Sequence, residues 1–394
     1  MDIFHKCREN AGRVRSAREA GAYPYYRAIS SAQDPVVVHA GRELVMLGSN
    51  NYLGLTSHPE VKDAAAMALA FYGTGCAGSR LLNGTLELHL ELEQRLAEFT
   101  GREAALTFAT GFQVNLGVLS CLLSRQDVAI LDALDHACII DGCRLGFGKT
   151  YKYRHNDMED LEAKLAIVPD GRGRIVVVDG VFSMEGDLAD LPRIIELARR
   201  HGARVMVDDA HGLGVFGENG RGTAEHFGVE AEVDLLMGTF SKSLAAIGGF
   251  VAGDADVIDY VRHHARSAIF SAAPPPASVA AALKALEIVE REPERRKRLW
   301  ETTDYMRSEL RVLGFDTGQS ASPVIPLVVG DDMVAFRMTM RLCEEGVFVN
   351  PVVSPAVPTG HSMIRTSYMA THTREQLDVA LEALAKVGRE LGII

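Results

Sequence analysis

Seven short apolar runs between positions 104 and 252 constrain this chain most: Ala104–Phe108, Val128–Leu131, Thr150–Tyr153, Ile175–Val178, Ala203–Val207, Leu235–Met237 and Phe250–Ala252. They are separated by stretches whose apolar residues recur at helical spacing. Runs this uniformly apolar are strands buried on both faces, so the spacing predicts a largely parallel sheet with helices on each side, an α/β fold. In such a sheet ligands bind beyond the strand ends. The residues that follow each run are therefore the first place to look for chemistry.

The flanking regions read differently. Residues 1 to about 33 mix charged and apolar residues at helical spacing, and Val36–His39 with Glu43–Leu47 form a short hairpin around Gly41. We take 1–57 as an N-terminal arm and 58–275 as the large domain. After Pro274-Pro275-Pro276 come long helices, a charged stretch from Glu290 to Arg298 read as a solvated helix face, and strands near Val324–Val329 and Met363–Ser367. This suggests a smaller α+β domain over 276–394.

At 394 residues the chain exceeds a single typical core. Its 41 basic and 52 acidic residues leave a formal charge of −11, which argues against a nucleic-acid or anionic-membrane footprint. Its six cysteines show neither C-x-x-C nor zinc spacing, so no metal is expected and the thiols read as reduced. The first residues lack the apolar core of a signal peptide, and no apolar run reaches the roughly 18 residues of a membrane span, so a cytoplasmic protein without a transmembrane segment is expected.

Gly238-Thr239-Phe240-Ser241-Lys242-Ser243 places one lysine among hydroxyls and ahead of Gly248-Gly249. Alone, this segment is equally compatible with a polar surface turn. Thirty-four residues before the lysine, however, the run Ala203–Val207 leads into Asp208-Asp209-Ala210-His211. A lysine amine, a carboxylate and phosphate-friendly hydroxyls are the groups that pyridoxal 5'-phosphate (PLP) demands: a nucleophile for its aldehyde, a partner for its protonated pyridine, and donors for its phosphate. Lys242 then reads as the Schiff-base lysine and Asp208 as the pyridine partner.

Other constellations fall at expected strand ends. The amides of Gly111 and Phe112 open a helix after the first run and could face a phosphate. His136, in Asp135-His136-Ala137-Cys138, is placed to stack on a flat cofactor, although a structural histidine fits the same position. Asp179 and Ser183 follow the run 175–178; Asp187, just beyond, reads as an N-cap for a helix through Leu191. Arg365 puts a guanidinium within a strand of the smaller domain, suited either to a carboxylate or to a surface edge.

Taken together, the motifs resemble the α-oxoamine synthases of the fold-type I PLP-dependent transferases. The likeness covers nearly the whole chain and rests on Asn50–Leu55, Gly78–Thr85, Asp135–Ala137, Asp179–Met184, Asp208–His211, the lysine segment and Arg365. It implies a PLP enzyme in which Lys242, His136 and Asp208 are catalytic. Gly111, Phe112, His136, Ser183, Asp208, His211, Thr239, Ser241, Lys242 and Ser271 would hold the cofactor, with Ser271 contributed across the interface of a homodimer whose active site lies between subunits. Asn51, Ser79, Arg80 and Arg365 would contact substrate. The implied reaction joins a small amino acid to an acyl-CoA with loss of CoA and CO2. Within the family the lysine segment and Gly78–Thr85 favour L-serine and palmitoyl-CoA, giving 3-ketodihydrosphingosine and, for such a lipid product, peripheral membrane contact. Glycine C-acetylation and 8-amino-7-oxononanoate formation are the alternatives, and a non-catalytic partner subunit is the alternative of another class. Some members carry an arginine in the loop aligned with 350–358, where this chain reads Pro351-Val352-Val353-Ser354-Pro355.

Overall fold

A computed structural model describes residues 2–19 and 21–394. Among them the strands are β1 (Val36–His39), β2 (Arg42–Met46), β3 (Ala104–Phe108), β4 (Val128–Asp132), β5 (Lys149–Tyr153), β6 (Arg174–Asp179), β7 (Arg204–Asp208), β8 (Leu235–Thr239), β9 (Gly249–Gly253), β10 (Val324–Gly330), β11 (Val347–Phe348), β12 (Asn350–Val352) and β13 (Ser362–Ser367). The chain divides into two compact units, one of residues 50–183 and 187–299, the other of residues 1–49, 184–186 and 300–394.

The larger unit is built on a seven-stranded sheet in the order β3-β9-β8-β7-β6-β4-β5. Strands β5, β4, β6, β7 and β8 run parallel, and β9 is antiparallel to both its neighbours. The pleat explains why the runs look uniformly apolar. Ala129, Leu131, Ile175, Val177, Met206 and Leu235 enter one core layer with Val114 and Val118 of the helix Gly111–Leu122. Val128, Ile130, Val176, Val178, Val205 and Leu236 enter the opposite layer with Leu161, Ile194 and Leu197. Side chains alternate between faces, and on β4, β6, β7 and β8 both faces are covered, which keeps their interior positions apolar. The edge strand β5 differs from the expectation of burial on both faces, exposing Lys149, Thr150 and Lys152 and burying only Tyr153.

The other unit holds two small sheets, β1-β2-β11 and β10-β13-β12. The expected hairpin forms, with Ala40 and Gly41 at φ 50° and 76° supplying its two-residue turn. Its core joins Val45 and Leu47 to Met306, Leu310, Ile325, Leu342 and Leu384.

Four expectations differ from what is observed. The helical reading of residues 1–33 ran too far: the helix is His5–Glu19, and Gly21 at φ 64° and Pro24 accompany the end of helical structure. The arm is not separate, because β2 pairs in parallel with β11 and shares its core with residues beyond 300. The helix Pro276–Arg291, assigned in sequence to the smaller domain, belongs to the larger unit: ten of its residues are buried, and it packs on the helix Pro59–Tyr72. The charged stretch 290–298 is not a wholly solvated face either. Arg296 is buried, and its guanidinium donates to the Glu218 carbonyl.

Candidate active site

The parallel strands end together on one edge of the larger sheet. There β4 ends in Asp132, β6 in Asp179, β7 in Asp208 and β8 in Thr239, with Asp179 in register with Asp208. Lys242 lies in the connection from β8 to β9, closed by the pairing of Thr239 with Gly249. The helix Gly111–Leu122 begins three residues past β3, its first turn capped by Thr110, whose Oγ1 accepts from Gln113 N at 3.2 Å. These elements enclose a cavity of about 310 Å³. Nine of the sequence-predicted residues line it: Gly111, Phe112, His136, Ser183, Asp208, His211, Thr239, Ser241 and Lys242. Cys138, Asp179, Ile247 and Gly248 complete much of the wall.

Asp208 is only 4 % exposed, and both of its oxygens are held. Oδ1 accepts from Ala210 N at 3.1 Å, and Oδ2 accepts from the Asn115 amide at 2.6 Å. Sequence reasoning missed Asn115; the available signal was an amide on the apolar side of a helix, between Val114 and Val118. Behind Asp208 lies a ladder of carboxylates. Asp179 accepts the His136 N–H at 2.9 Å, and Asp135 accepts the N–H groups of Asp179 and Asp132 at 2.9 and 2.8 Å. Burial, then the neighbouring acids, raises Asp179 and Asp135 well above the ordinary carboxylate range. Asp209 is pushed up to about 7, by burial first, while its bonds from Thr223 N at 2.6 Å and Thr223 Oγ1 at 3.0 Å oppose the shift.

The two imidazoles differ in partners. His136 caps the helix Ala137–Leu145, its Nδ1 accepting from Cys138 N at 3.2 Å. Burial lowers its pKa, Asp208 opposes and Lys242 assists, which favours a neutral ring. His211 Nδ1 lies 2.7 Å from the Tyr52 hydroxyl. Beside Lys242, Thr239 Oγ1 bonds Ser241 Oγ and the Gly248 carbonyl, each at 3.0 Å. This corner tolerates little bulk: a Cβ on Gly111 would stand 2.7 Å from Thr239 Oγ1, and one on Gly249 would stand 2.8 Å from Gly111 Cα.

The remaining expected residues lie outside the cavity wall. Asn51 Oδ1 accepts from Leu55 N at 3.0 Å and its Nδ2 donates to Thr56 Oγ1 at 2.7 Å, so the side chain shapes its own loop. Ser79 has a buried hydroxyl without a hydrogen-bond partner among the described residues. Arg80 departs most from expectation. Its guanidinium donates to Glu93 at 2.8 and 3.1 Å, to Thr107 at 2.7 Å and to Thr85 at 3.1 Å, a buried structural pair in place of the expected substrate contact. Ser271 accepts from Gln113 at 3.4 Å. Arg365, in the other unit, sits buried on β13 between Pro326 and Asn350. Asp187 does not cap the helix that follows it; Asp190 does, while Asp187 binds His155 at 2.9 Å and Asn156 at 3.1 Å. His58, Glu60 and Glu292 bring three metal-capable atoms within 4.8 Å of one another, but Arg291 already holds both carboxylates, Glu60 at 2.6 Å and Glu292 at 2.7 Å.

Known proteins are similar to this chain in sequence and fold. The model of the family described as aminotransferase class I and II matches residues 42–384. A serine palmitoyltransferase of Sphingobacterium spiritivorum is 54% identical over 96% of this chain and 95% of its own. An 8-amino-7-oxononanoate synthase of Symbiobacterium thermophilum is 48% identical over 97% of both chains. Among solved structures, a Sphingomonas wittichii serine palmitoyltransferase superposes with a TM-score of 0.97 at 37% identity, covering both chains fully. Another serine palmitoyltransferase, solved with PLP, gives 0.97 at 36% identity with the same coverage. The chain therefore belongs to the aminotransferase class I and II family, in the α-oxoamine synthase branch that holds serine palmitoyltransferases and 8-amino-7-oxononanoate synthases.

Proposed function

We propose that this protein is a PLP-dependent α-oxoamine synthase that condenses L-serine with palmitoyl-CoA, releasing CoA and CO2 and forming 3-ketodihydrosphingosine. One observation carries the reading: a single cavity brings together the Lys242 amine and a fixed Asp208 carboxylate, with hydroxyls and a helix N-terminus on its wall. The donor set suits PLP. Lys242 matches its aldehyde, Asp208 its pyridine nitrogen and His136 the face of its ring. His211 and Ser183 are offered to the ring hydroxyl. Thr239, Ser241 and the first-turn amides at Gly111 and Phe112 are offered to the phosphate. When bound, PLP supplies an electrophilic carbon and an electron-withdrawing ring that takes up charge from the substrate Cα.

The chain's own groups do the rest. Lys242 Nζ would hold the cofactor through its aldehyde carbon and, as a free amine, would take the substrate Cα proton and return it. Asp208, fixed by hydrogen bonds from the Asn115 amide and Ala210 N, would pair with the pyridine nitrogen. His136, favoured neutral, offers a hydrogen bond to the substrate carboxylate or thioester oxygen without adding charge. Arg365 is assigned to the substrate carboxylate on the resemblance alone. The serine and palmitoyl assignment is supported by relatives of that name at 50–54% identity over 95–96% of this chain. Those named 8-amino-7-oxononanoate synthase reach 43–48% and define the second reading. The presence of Lys242 in the cavity argues against a non-catalytic subunit.

We further propose a cytosolic homodimer in which Ser271 serves the neighbouring site, with peripheral membrane contact for product release. Among the described residues no helix is long and apolar enough to cross a membrane. The deciding experiment measures CoA-thiol release by PLP-loaded protein with serine, glycine or alanine against acetyl-, pimeloyl- and palmitoyl-CoA. Dominant release with serine and palmitoyl-CoA is expected; dominance of another pair reassigns the substrate, and no release with any pair overturns the reaction class.

A further inference from the structure

Asn115 sits in an apolar helix among the buried residues Val114, Val118 and Leu119, and is itself fully buried. A buried amide is costly unless its hydrogen bonds are made. Here the two hydrogens of Nδ2 go to two different elements: to Asp208 Oδ2 at 2.6 Å and to Cys138 Sγ at 3.0 Å. Oδ1 has no partner among the described residues, so the donors decide which way the amide points. A flipped amide would turn an acceptor onto a carboxylate.

The contact continues past the thiol. Cys138 Sγ lies 2.8 Å from His136 Nδ1, and burial keeps the sulfur protonated, so its S–H is directed at an Nδ1 that also accepts the Cys138 backbone N–H. With Nδ1 an acceptor, the proton of a neutral ring resides on Nε2. The spacing between the two helices is also set at the backbone: a Cβ on Gly142 would stand 2.6 Å from the Asn115 carbonyl oxygen.

We propose that Asn115 is a positioning residue that orients Asp208 directly and sets the tautomer of His136 through the Cys138 thiol. It thereby holds the two side chains that flank the cofactor, an inference that rests on the PLP reading above. Loss of the amide releases Asp208 Oδ2 and removes the donor that holds the sulfur.

The test compares wild type with Asn115→Leu, Asn115→Asp, Cys138→Ala and Cys138→Ser. PLP affinity is measured by equilibrium dialysis, the bound cofactor's visible absorbance is titrated against pH, and thermal unfolding is followed without PLP. Both Asn115 variants should bind PLP about tenfold or more weakly and shift the absorbance midpoint. Cys138→Ala should shift the midpoint, and Cys138→Ser should restore it. Variants that match wild type in affinity and midpoint, even if they melt earlier, overturn the proposal and leave the PLP reading intact. Wild-type protein that binds no PLP overturns both. Should Asn115→Leu fail to fold, Asn115→Asp and the Cys138 pair decide the matter.

Discussion

The His155 ring bridges two carboxylates, with Asp132 3.0 Å from Nδ1 and Asp187 2.9 Å from Nε2. Burial alone would lower its pKa, but the two bonded carboxylates outweigh burial and push it up to about 10. A raised folded-state value makes this contribution to stability fully present below the unfolded value near 6.5, and lost as pH climbs through about 10. Thermal melts from pH 6 to 10 should therefore fall more steeply for wild type than for His155→Gln. At pH 7 the variant should be about 2–3 kcal/mol less stable, since it leaves the fully buried Asp132 and the part-buried Asp187 without their cation. Arg80→Ala should also act on stability, costing about 2–3 kcal/mol in denaturant unfolding, because it removes the bidentate partner of the buried Glu93 and leaves it Thr107 and the more distant Arg262 at 3.6 Å; a change confined to substrate KM would restore the substrate role first expected of it. Lys242→Ala should lower turnover by about 10²–10⁴-fold with little change in melting temperature. Arg365→Ala should raise the amino-acid KM more than it lowers kcat, and an unchanged KM would remove it as the carboxylate partner. None of the His155 bridge was legible in the sequence: its members are 23 and 32 positions apart from the histidine, and only the return of the chain after β5 and β6 brings them together.

Among elements, the β8–β9 connection decides where the lysine points. Gly249 pairs with Thr239, and its α-hydrogen side faces Gly111 Cα, so backbone approaches backbone where the helix Gly111–Leu122 begins. Gly249→Ala should cost about 1–3 kcal/mol and weaken PLP binding in the same variant, measured by unfolding and by dialysis, since neither backbone can move aside without shifting the helix start. The strands themselves were readable because burial on both faces leaves an unbroken apolar signature, which the layers formed by alternate residues of β4, β6 and β7 account for. Helix limits were less readable. Asp187 and Asp190 are both plausible caps by spacing, and the choice went to Asp190 because His155 and Asn156 claim Asp187.

For the whole molecule, the exposed apolar residues suggest what a single chain leaves unfinished. Phe112 and Ile247 line the cavity yet remain substantially exposed, and Leu81, Leu82 and Phe270 are exposed as well. Apolar surface of this kind at a site favours coverage by another protein surface. Sedimentation equilibrium is expected to give twice the chain mass, and Phe270→Glu should shift the protein toward monomer with loss of activity; a fully active monomer would refute the dimer. What the sequence determined by itself was chemistry in order along the chain: which segments are strands, that a lysine, a carboxylate and an imidazole follow them, and that these types suit PLP. Local composition and periodicity suffice for that, because burial and residue chemistry are local properties. Only the tertiary structure decided that Arg80 serves Glu93, that Asn115 holds Asp208 from 93 positions away, and that the first 49 residues share a compact unit with those beyond 300. Those outcomes depend on which strand lies beside which and on the few ångströms between side chains, distances that the order of residues along the chain does not contain.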